Sequence, residues 1–523
     1  VEHFFSYVTG SLTDVSFNVY AAEDIRAADG VSENYYTKDQ LVGTITTDGT
    51  GIAELDNLPL GKYYIVEKET SYGYVLDDEP RYVDLTYRDQ DTPVVTYSAD
   101  WQNRRQKVQI NVLKKEKDSD KVLSGAIFGL FAAEDITSAG GKVLIEKDTI
   151  IELKTTDESG WIHFIADLPI RAKYYLKEIY APDGYVRATE AQEFTFEYQG
   201  DKTTQAVYEF TFEDVQTSVE LSKADLTDGK ELPGASLQVL DSTGTVVEEW
   251  ISTEEPHMIR GLLVGETYTM VETKPADGYT TAESIEFKVE DTAEVQKHQM
   301  LDDVTKVEIS KTDVTDSKEV PGAKLTILDK DGKVVESWVS DKDPHMVEKL
   351  PVGTYTLREE QAPDGYLVAE EVSFDVKDTG EIQKVEMKDA RPTGKLILKK
   401  TDAEDGSPLA GAEFELRIKK SGKVVATLVT DEEGVATSGD IPIATYKDGK
   451  MKKEIEYILV ETKAPEGYVR SEKEENVVFE YKDDKTKEIE ITKELTNERI
   501  PTGGYVKSPK TGHDTKIWLP ILL

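Results

Sequence analysis

A glutamate precedes a Gly-Tyr pair by a constant spacing at five places in the chain. In each copy the Gly-Tyr pair begins six residues after the glutamate, at Glu67, Glu178, Glu272, Glu359 and Glu461. A carboxyl group is able to take up and return a proton when it is held beside a reacting group. The five copies therefore predict a repeated unit in which the carboxyl group has a common role.

Two further residue types recur with these glutamates. Every unit after the first opens with a lysine nine residues before the Leu or Val of a (Leu/Val)-x-Gly-Ala turn: Lys114, Lys223, Lys311 and Lys400. These lysines are in phase with the apolar residues of their strands, so we expect them to point into the core. Each unit closes with an Asn or Asp two residues after an apolar side chain: Asn103, Asp214, Asp302, Asp389 and Asn497.

An interior set of Lys, Glu and Asn or Asp predicts a covalent cross-link. Polar groups in an apolar core are costly unless they satisfy one another. Burial lowers the pKa of a lysine and raises that of a glutamate, so the amine becomes a nucleophile and the glutamate a proton shuttle. Held in contact with the side-chain carbonyl, the amine would form an isopeptide bond and release ammonia or water. The alternative is a partly buried salt bridge, which the recurrence in one register disfavours.

Three positions depart from the regular pattern. The first unit has His3 where the spacing predicts lysine, so Glu67 is expected to be idle and Asn103 is a doubtful acceptor. In the second unit Lys115 is an alternative to Lys114, although strand phase favours Lys114. In the third unit Asp303 is a neighbour of the predicted Asp302. Five glutamates therefore predict four cross-links.

The elements that must position these residues are short strands. Runs such as 219–223 and 285–289 alternate apolar and polar residues, and Asp331-Gly332 lies between two apolar runs as a hairpin turn would. Extended helical periodicity is hard to find. The glutamates are 111, 94, 87 and 102 residues apart, which is the size of a small domain. The sequence predicts an all-β protein of five tandem β-sandwich domains in an elongated rod.

The predicted domain boundaries fall between the last strand of one unit and the first strand of the next. The expected domains are residues 1–104, 105–215, 216–303, 304–391 and 392–499, followed by a tail at 500–523. The connections are only a few residues long, which favours a semi-rigid array.

Composition excludes several classes of protein. The formal net charge of −41 argues against nucleic-acid binding, which requires basic patches. No cysteine is present, so no disulfide can staple the domains, and the predicted cross-links would fill that role. The six histidines lack ligand spacing, and phosphate-binding or metalloprotease motifs are absent. We expect no metal, no cofactor and no turnover enzyme.

Both ends of the sequence resemble truncations, because Val1 begins within a strand-like run and the final apolar run is short.

The combined motifs resemble the Cna protein B-type domains of Gram-positive surface proteins and pilins, also called SpaA-like or prealbumin-like domains. The resemblance rests on the Lys-x-Asp starts at Lys223, Lys311 and Lys400, the (Leu/Val)-x-Gly-Ala turns, and residues 461–468, which are similar to the pilin E-box. It covers roughly residues 1–499. It implies immunoglobulin-like, prealbumin-like sandwiches, an autocatalytic isopeptide bond in each domain, and an extracellular stalk or adhesive role.

The tail resembles a sortase sorting signal with serine in place of the first leucine. Its residues are Ser508, Pro509, Lys510, Thr511 and Gly512. The resemblance implies that sortase is a partner, that it cleaves after Thr511, and that it joins this residue to peptidoglycan or to a pilus subunit. The alternative is a linker before an ordinary membrane anchor.

The leading interpretation is a cell-wall-anchored stalk or adhesin-type structural protein, with a host or matrix ligand that the sequence does not identify. Two alternatives remain. A pilus subunit resembles this array but requires a pilin-motif lysine in Tyr-Pro-Lys, which does not occur here. A surface enzyme with a catalytic domain upstream would use these units only as a stalk.

Overall fold

The computed structural model describes residues 1–501. Within this range the assigned secondary-structure elements are β-strands. No helix in the described part is long and apolar enough to cross a membrane. The prediction of an all-β fold is confirmed. Alternating burial accounts for the strands: on β14 (Ser218–Asp225), Val219, Leu221 and Lys223 are buried while Glu220 and Ser222 between them are more exposed.

Domains 2 to 5 each consist of two sheets with a core between them. One four-stranded sheet is antiparallel throughout. The second sheet has the first strand of the domain at its centre and contains three strands in domains 2 to 4 and four in domain 5. That first strand pairs in parallel with the last strand of the same domain. The two strands expected to carry the lysine and its acceptor are therefore immediate neighbours.

Domain 1 has one sheet, in the order β2-β1-β3-β4, formed by β1 (Ser16–Ala21), β2 (Leu41–Thr46), β3 (Gly61–Glu69) and β4 (Arg81–Leu85). Domain 2 has sheets β10-β5-β13 and β12-β11-β6-β9 and the hairpin β7-β8. Its strands are β5 (Lys107–Glu116), β6 (Ile127–Ala132), β7 (Ile136–Thr137), β8 (Val143–Ile145), β9 (Ile150–Thr155), β10 (Trp161–Phe164), β11 (Lys173–Tyr180), β12 (Gln192–Thr195) and β13 (Gln205–Asp214).

Domains 3 and 4 share one topology. The sheets are β17-β14-β20 and β16-β15-β18-β19 in domain 3, and β24-β21-β27 and β23-β22-β25-β26 in domain 4. In domain 3, β14 is followed by β15 (Ser236–Leu240), β16 (Val246–Ile251), β17 (His257–Arg260), β18 (Thr267–Lys274), β19 (Ile285–Lys288) and β20 (Gln296–Asp302). Domain 4 contains β21 (Lys306–Asp313), β22 (Lys324–Leu328), β23 (Val334–Val339), β24 (His345–Glu348), β25 (Gly353–Gln361), β26 (Val372–Val376) and β27 (Ile382–Asp389).

Domain 5 adds a short hairpin, β33-β34, to the same two-sheet plan, with β28 paired to β31, β32 and β37 and a second sheet β30-β29-β35-β36. Its strands are β28 (Thr393–Asp402), β29 (Glu413–Ile418), β30 (Val424–Val429), β31 (Val435–Thr437), β32 (Ile441–Pro442), β33 (Ala444–Lys447), β34 (Lys450–Glu454), β35 (Glu456–Lys463), β36 (Glu475–Val478) and β37 (Glu488–Asn497).

The expectation of a first strand at Val1 and a last strand ending at Asn103 is wrong for domain 1. Residues 1–15 and 86–104 contain no strand. The N-terminal segment instead lies against domain 2, where Glu2 accepts a hydrogen bond from the Leu153 N–H (2.9 Å) and Phe5 packs on the core. In domains 2 to 5 the first strand is the last strand's only partner. Without that partner, residues 86–104 have no strand to pair with.

Candidate cross-linking sites

Strand register brings each lysine close to its predicted acceptor. In domain 3, Lys223 on β14 lies opposite Met300 on β20, and Asp302 is two residues further along the same face. The other three domains repeat this register, with Lys114 opposite Phe212, Lys311 opposite Met387 and Lys400 opposite Leu495. Both side chains therefore point into the core between the sheets.

The glutamate reaches the same point from the opposite sheet. In domain 3, Glu272 on β18 pairs with Leu237 on β15, and the register shifts by one residue immediately beyond that pair. The same irregularity accompanies the glutamate in all five domains. A bulge re-aims the side chains next to it and ends regular pairing. Here it coincides with the point where the glutamate enters the core.

Lysine and glutamate are in contact in four domains. In domain 3 the Lys223 Nζ lies 3.1 Å from Glu272 Oε1, and both side chains are almost fully buried. The equivalent distances are 3.0 Å for Lys114 to Glu178, 3.1 Å for Lys311 to Glu359 and 3.3 Å for Lys400 to Glu461.

The acceptor contact differs between the aspartate and asparagine domains. The lysine Nζ donates to the aspartate Oδ1 in three of them, in the pairs Lys114 with Asp214, Lys223 with Asp302, and Lys311 with Asp389. In domain 5 the Lys400 Nζ donates to the Thr496 carbonyl at 3.0 Å. There Asn497 uses its Nδ2 to donate to Glu461 Oε2 at 3.0 Å. The asparagine thus contacts the glutamate, and the glutamate contacts the lysine.

A backbone N–H holds the glutamate in place. In every domain the carboxylate accepts a hydrogen bond from the N–H ten residues later, just beyond the Gly-Tyr pair. The donors are Asp77 (2.5 Å), Ala188 (2.7 Å), Ala282 (2.7 Å), Ala369 (2.7 Å) and Ser471 (2.6 Å). This contact explains why the spacing between the glutamate and the Gly-Tyr pair is constant in the sequence.

Burial changes the protonation of the sites. Desolvation raises the pKa of Glu178 to about 7 against the opposing attraction of Lys114, and it also raises the pKa of Asp214. Desolvation likewise raises the pKa of Asp302 and that of Asp389 to about 7. In domain 2, burial raises the pKa of both carboxyl groups and both face Lys114, so we interpret this as one proton shared by Glu178 and Asp214. In domain 5, burial lowers the pKa of Lys400.

Domain 1 retains the glutamate and the asparagine without a lysine. Asn103 Nδ2 donates to both oxygens of Glu67 at 2.8 Å, and burial raises the pKa of Glu67. His3 does not occupy the lysine position, because its Nδ1 is 3.1 Å from the Ile150 carbonyl in domain 2. This pair therefore has no amine to react with among the described residues.

The structure separates the alternatives that sequence left open. Lys115 is partly exposed and pairs with Glu213 at 3.1 Å, whereas Lys114 faces Glu178. Asp303 lies beside Lys306 at 3.0 Å, away from Lys223. The geometry thus brings Lys114 and Asp302 into the sites.

Sequence reasoning missed a role for the Gly-Tyr tyrosine. In domain 3 the Tyr279 hydroxyl donates to Asp225, the aspartate of the Lys-x-Asp start, at 2.7 Å. The equivalent bonds are Tyr185 to Glu116 (3.2 Å), Tyr366 to Asp313 (2.6 Å) and Tyr468 to Asp402 (2.7 Å). The recurring Lys-x-Asp sequence could have indicated this hydrogen bond. Its aspartate lies two residues beyond the lysine and therefore on the same face of the strand.

No group of side chains suited to a metal ion occurs within residues 1–501. The tail motif Ser508, Pro509, Lys510, Thr511 and Gly512 lies outside the described residues.

Comparison with known proteins identifies the repeated unit. The SpaA prealbumin-like fold domain matches the chain five times, at residues 6–100, 108–209, 217–303, 305–391 and 394–495. No curated protein matches the chain in sequence.

Several solved structures are similar to parts of the chain. The Bacillus anthracis TIE protein is 22% identical, with 74% of this chain and 73% of that chain covered and a TM-score of 0.39. BcpA, the major pilin subunit of Bacillus cereus, is 18% identical over 76% of this chain and 100% of that chain, with a TM-score of 0.18. The shaft pilin SpaA of Lactobacillus rhamnosus GG is 17% identical over 38% of this chain and 98% of that chain, with a TM-score of 0.19.

Proposed function

The chain belongs to the family of SpaA prealbumin-like fold domains, and from this premise we propose that it is a Gram-positive surface stalk whose domains cross-link themselves. The observation that carries the proposal is the buried lysine in contact with a glutamate in domains 2 to 5, beside Asp214, Asp302, Asp389 and Asn497. In domains 2 to 4 the lysine is a buried cation between two carboxyl groups, which is an expensive way to stabilise a core. A covalent amide removes both charges.

The proposed reaction forms one amide bond and breaks one C–O or C–N bond. The neutral lysine Nζ attacks the side-chain carbonyl carbon, and the glutamate receives the amine proton and passes it to the leaving group. In domains 2, 3 and 4 the aspartic acid loses its hydroxyl group as water. In domain 5 the Asn497 carboxamide loses its nitrogen as ammonia. Each site reacts once, so the cross-linking itself is a single-turnover reaction.

The proposed bond would fasten the domain where it is most easily opened. The lysine is near the end of the first strand and its acceptor is at the end of the parallel last strand. Tension applied to the two chain ends acts on these two strands. The chain has no cysteine, so a disulfide cannot serve this purpose.

We also propose that sortase attaches the chain to the cell wall or to a pilus subunit through Thr511. The support is the Pro-x-Thr-Gly sequence at residues 509–512, which follows the last domain and precedes an apolar run. An extracellular location on the Gram-positive surface, with a stalk or adhesive role, follows from this part of the proposal.

Intact mass tests the cross-links. The mass should fall short of the sequence mass by one water for each of domains 2, 3 and 4 and by one ammonia for domain 5. Glu272→Ala should restore one water, and a digest should assign the change to domain 3 alone. The control is Glu286→Ala on β19, an exposed glutamate of the same domain. A parent mass equal to the sequence mass would overturn the proposal.

A further inference from the structure

The segment after each Gly-Tyr pair contacts the next domain at all four junctions. The N–H two residues beyond the tyrosine donates to an aspartate in the loop before the last strand of the following domain. The bonds are Leu76 to the Asp201 carbonyl (2.8 Å), Arg187 to Asp291 Oδ1 (3.0 Å), Thr281 to Asp378 Oδ1 (2.7 Å) and Val368 to the Asp484 carbonyl (2.9 Å). A contact repeated at four junctions of different sequence indicates a common docking mode.

The glycine of the pair is needed for this approach. Gly278 has a φ of 86°, and a Cβ there would lie 2.4 Å from the Lys349 carbonyl oxygen of domain 4. Gly184 and Gly365 are similarly close to the next domain, at 2.6 Å from Gly261 O and 2.5 Å from Met451 Cβ. Gly467 in domain 5 has nearly the same φ, 85°, but no described atom within 4 Å of that position. The closest packing is therefore found at three of the four junctions and is not a property of the turn itself; at Gly73 a Cβ would lie 3.3 Å from Ile170 Cδ1 of domain 2.

Further polar contacts surround the turn. In the junction of domains 3 and 4, Thr305 donates its N–H to the Gly278 carbonyl (3.1 Å) and its hydroxyl to the Leu350 carbonyl (2.6 Å). Lys349 of domain 4 approaches Asp225 of domain 3 at 3.7 Å. Domains 2 and 5 instead use a tyrosine, since Tyr198 and Tyr481 donate to the carbonyls of Tyr74 and Tyr366.

The docking segment is also attached to the cross-linking glutamate. The Thr281 N–H donates across the junction to Asp378, and the next N–H, that of Ala282, donates inward to Glu272 Oε2 at 2.7 Å. Adjacent N–H groups thus hold the segment to the core of one domain and to the surface of the next. The same adjacency occurs at Arg187 and Ala188 and at Val368 and Ala369.

We propose that the Gly-Tyr turn at each of the four junctions is the docking surface for the acidic loop of the following domain, and that the glutamate fixes the shape of this surface. The glutamate is then a positioning residue for the junction in addition to its role in the cross-link. Removing the glutamate carboxyl group eliminates the hydrogen bond that holds the docking segment to the core of its own domain. The segment can then move, and the next domain can reorient. The inference does not rest on bond formation, because it uses the glutamate only as a hydrogen-bond acceptor.

The absence of cysteine makes the junction directly measurable. Ser242→Cys and Lys330→Cys place spin labels on equivalent exposed hairpin loops of domains 3 and 4, and pulsed electron resonance then measures the distribution of distances between them. The variants are Glu272→Ala and Glu272→Gln, compared in the full chain. Glutamine cannot ionise but still offers an oxygen to the Ala282 N–H. Both should therefore lose the domain 3 cross-link by mass, while only Glu272→Ala broadens the distance distribution.

A second pair of variants tests the other side of the junction. Asp378→Ala removes the acceptor of the Thr281 N–H and should broaden the distribution while the mass deficit of domain 3 stays unchanged. Asp375→Ala is the control, since Asp375 binds Thr354 within domain 4. Unchanged tryptophan fluorescence, which includes Trp250 on the domain 3 core and Trp338 on the domain 4 core, verifies that the two domains are folded.

The outcomes separate this inference from the proposed function. Equal distributions for Glu272→Ala and Glu272→Gln, or an unchanged distribution for Asp378→Ala, would overturn the docking role. If the parent chain shows no mass deficit but the distance distributions differ as stated, the docking role holds and the cross-linking proposal fails.

Discussion

Each glutamate serves two neighbours at once. In domains 2, 3 and 5 its Oε1 faces the lysine and its Oε2 accepts the N–H ten residues later, as at Glu272. A carboxyl group held on both oxygens keeps one orientation, which is what proton transfer to a fixed partner requires. The repeated spacing therefore reflects geometry as well as chemistry.

At the scale of single residues, we predict that the rate of cross-linking depends on pH differently in domain 3 and in domain 5. The reacting form of Asp302 is the protonated acid, and burial raises its pKa to about 7. The acid form predominates below this pH and declines above it, roughly tenfold for each further pH unit. Cross-linking of domain 3 should slow accordingly, relative to domain 5, whose Asn497 does not ionise. Cell-free synthesis at several pH values, followed by acid quenching and mass analysis of digests, measures both rates.

Asp302→Asn is the matched control for that prediction. This substitution should abolish the fall in the cross-linking rate of domain 3 with rising pH. It should also change the molecule released there from water to ammonia. Identical pH slopes in domains 3 and 5 of the parent chain would contradict the assigned role of the acid.

The pairing of the first and last strands determines which part of a domain bears a pulling force. The first and last strands are parallel neighbours, and the last strand has no other partner in domains 2 to 5. Shear between them would release everything that lies between the lysine and its acceptor. A bond between these two residues removes that segment from the path of the force.

Single-molecule pulling tests this at the level of the strand pair. Lys223 and Asp302 are 79 residues apart, and Lys223→Met should add one extension step of roughly 260 Å, at about 3.3–3.6 Å per residue. The added length is the loop that the bond would otherwise protect. Lys297→Met, at an exposed lysine on β20, is the control and should add no step. A step equal to the length of the loop between lysine and acceptor, from each of domains 2 to 5 in the parent chain, would argue against the bonds.

At the scale of the whole molecule, domain 1 differs from the other four. It has one sheet instead of two, and its core is a small cluster around Val19, Ile25 and Tyr63. It also lacks the lysine. Less buried apolar surface gives less stabilisation, so local opening should begin in this domain.

Limited proteolysis measures this difference. Trypsin should cut first at Arg88, which is exposed within the strand-free residues 86–104. Lys202, at the equivalent loop of domain 2, is also exposed but lies only three residues before the start of β13, so it should be cut later. Initial cleavage within domains 2 to 5 would contradict the ranking of the domains.

Sequence alone predicted the all-β class and the five repeats, because alternation and turn chemistry are local properties. It also singled out the glutamates, lysines and acceptors, since a fixed phase along a strand decides which side chains point inward. Their joint role as a cross-linking site stays a prediction.

Tertiary structure decided what local patterns could not. It brought Lys114 rather than Lys115, and Asp302 rather than Asp303, into the sites, because the contact depends on register between strands 79 to 100 residues apart in sequence. It directed residues 2–7 of domain 1 against domain 2, where β9 offers hydrogen-bond partners to Glu2 and His3. It also showed that the Gly-Tyr turn contacts the next domain, an arrangement that depends on how whole domains pack.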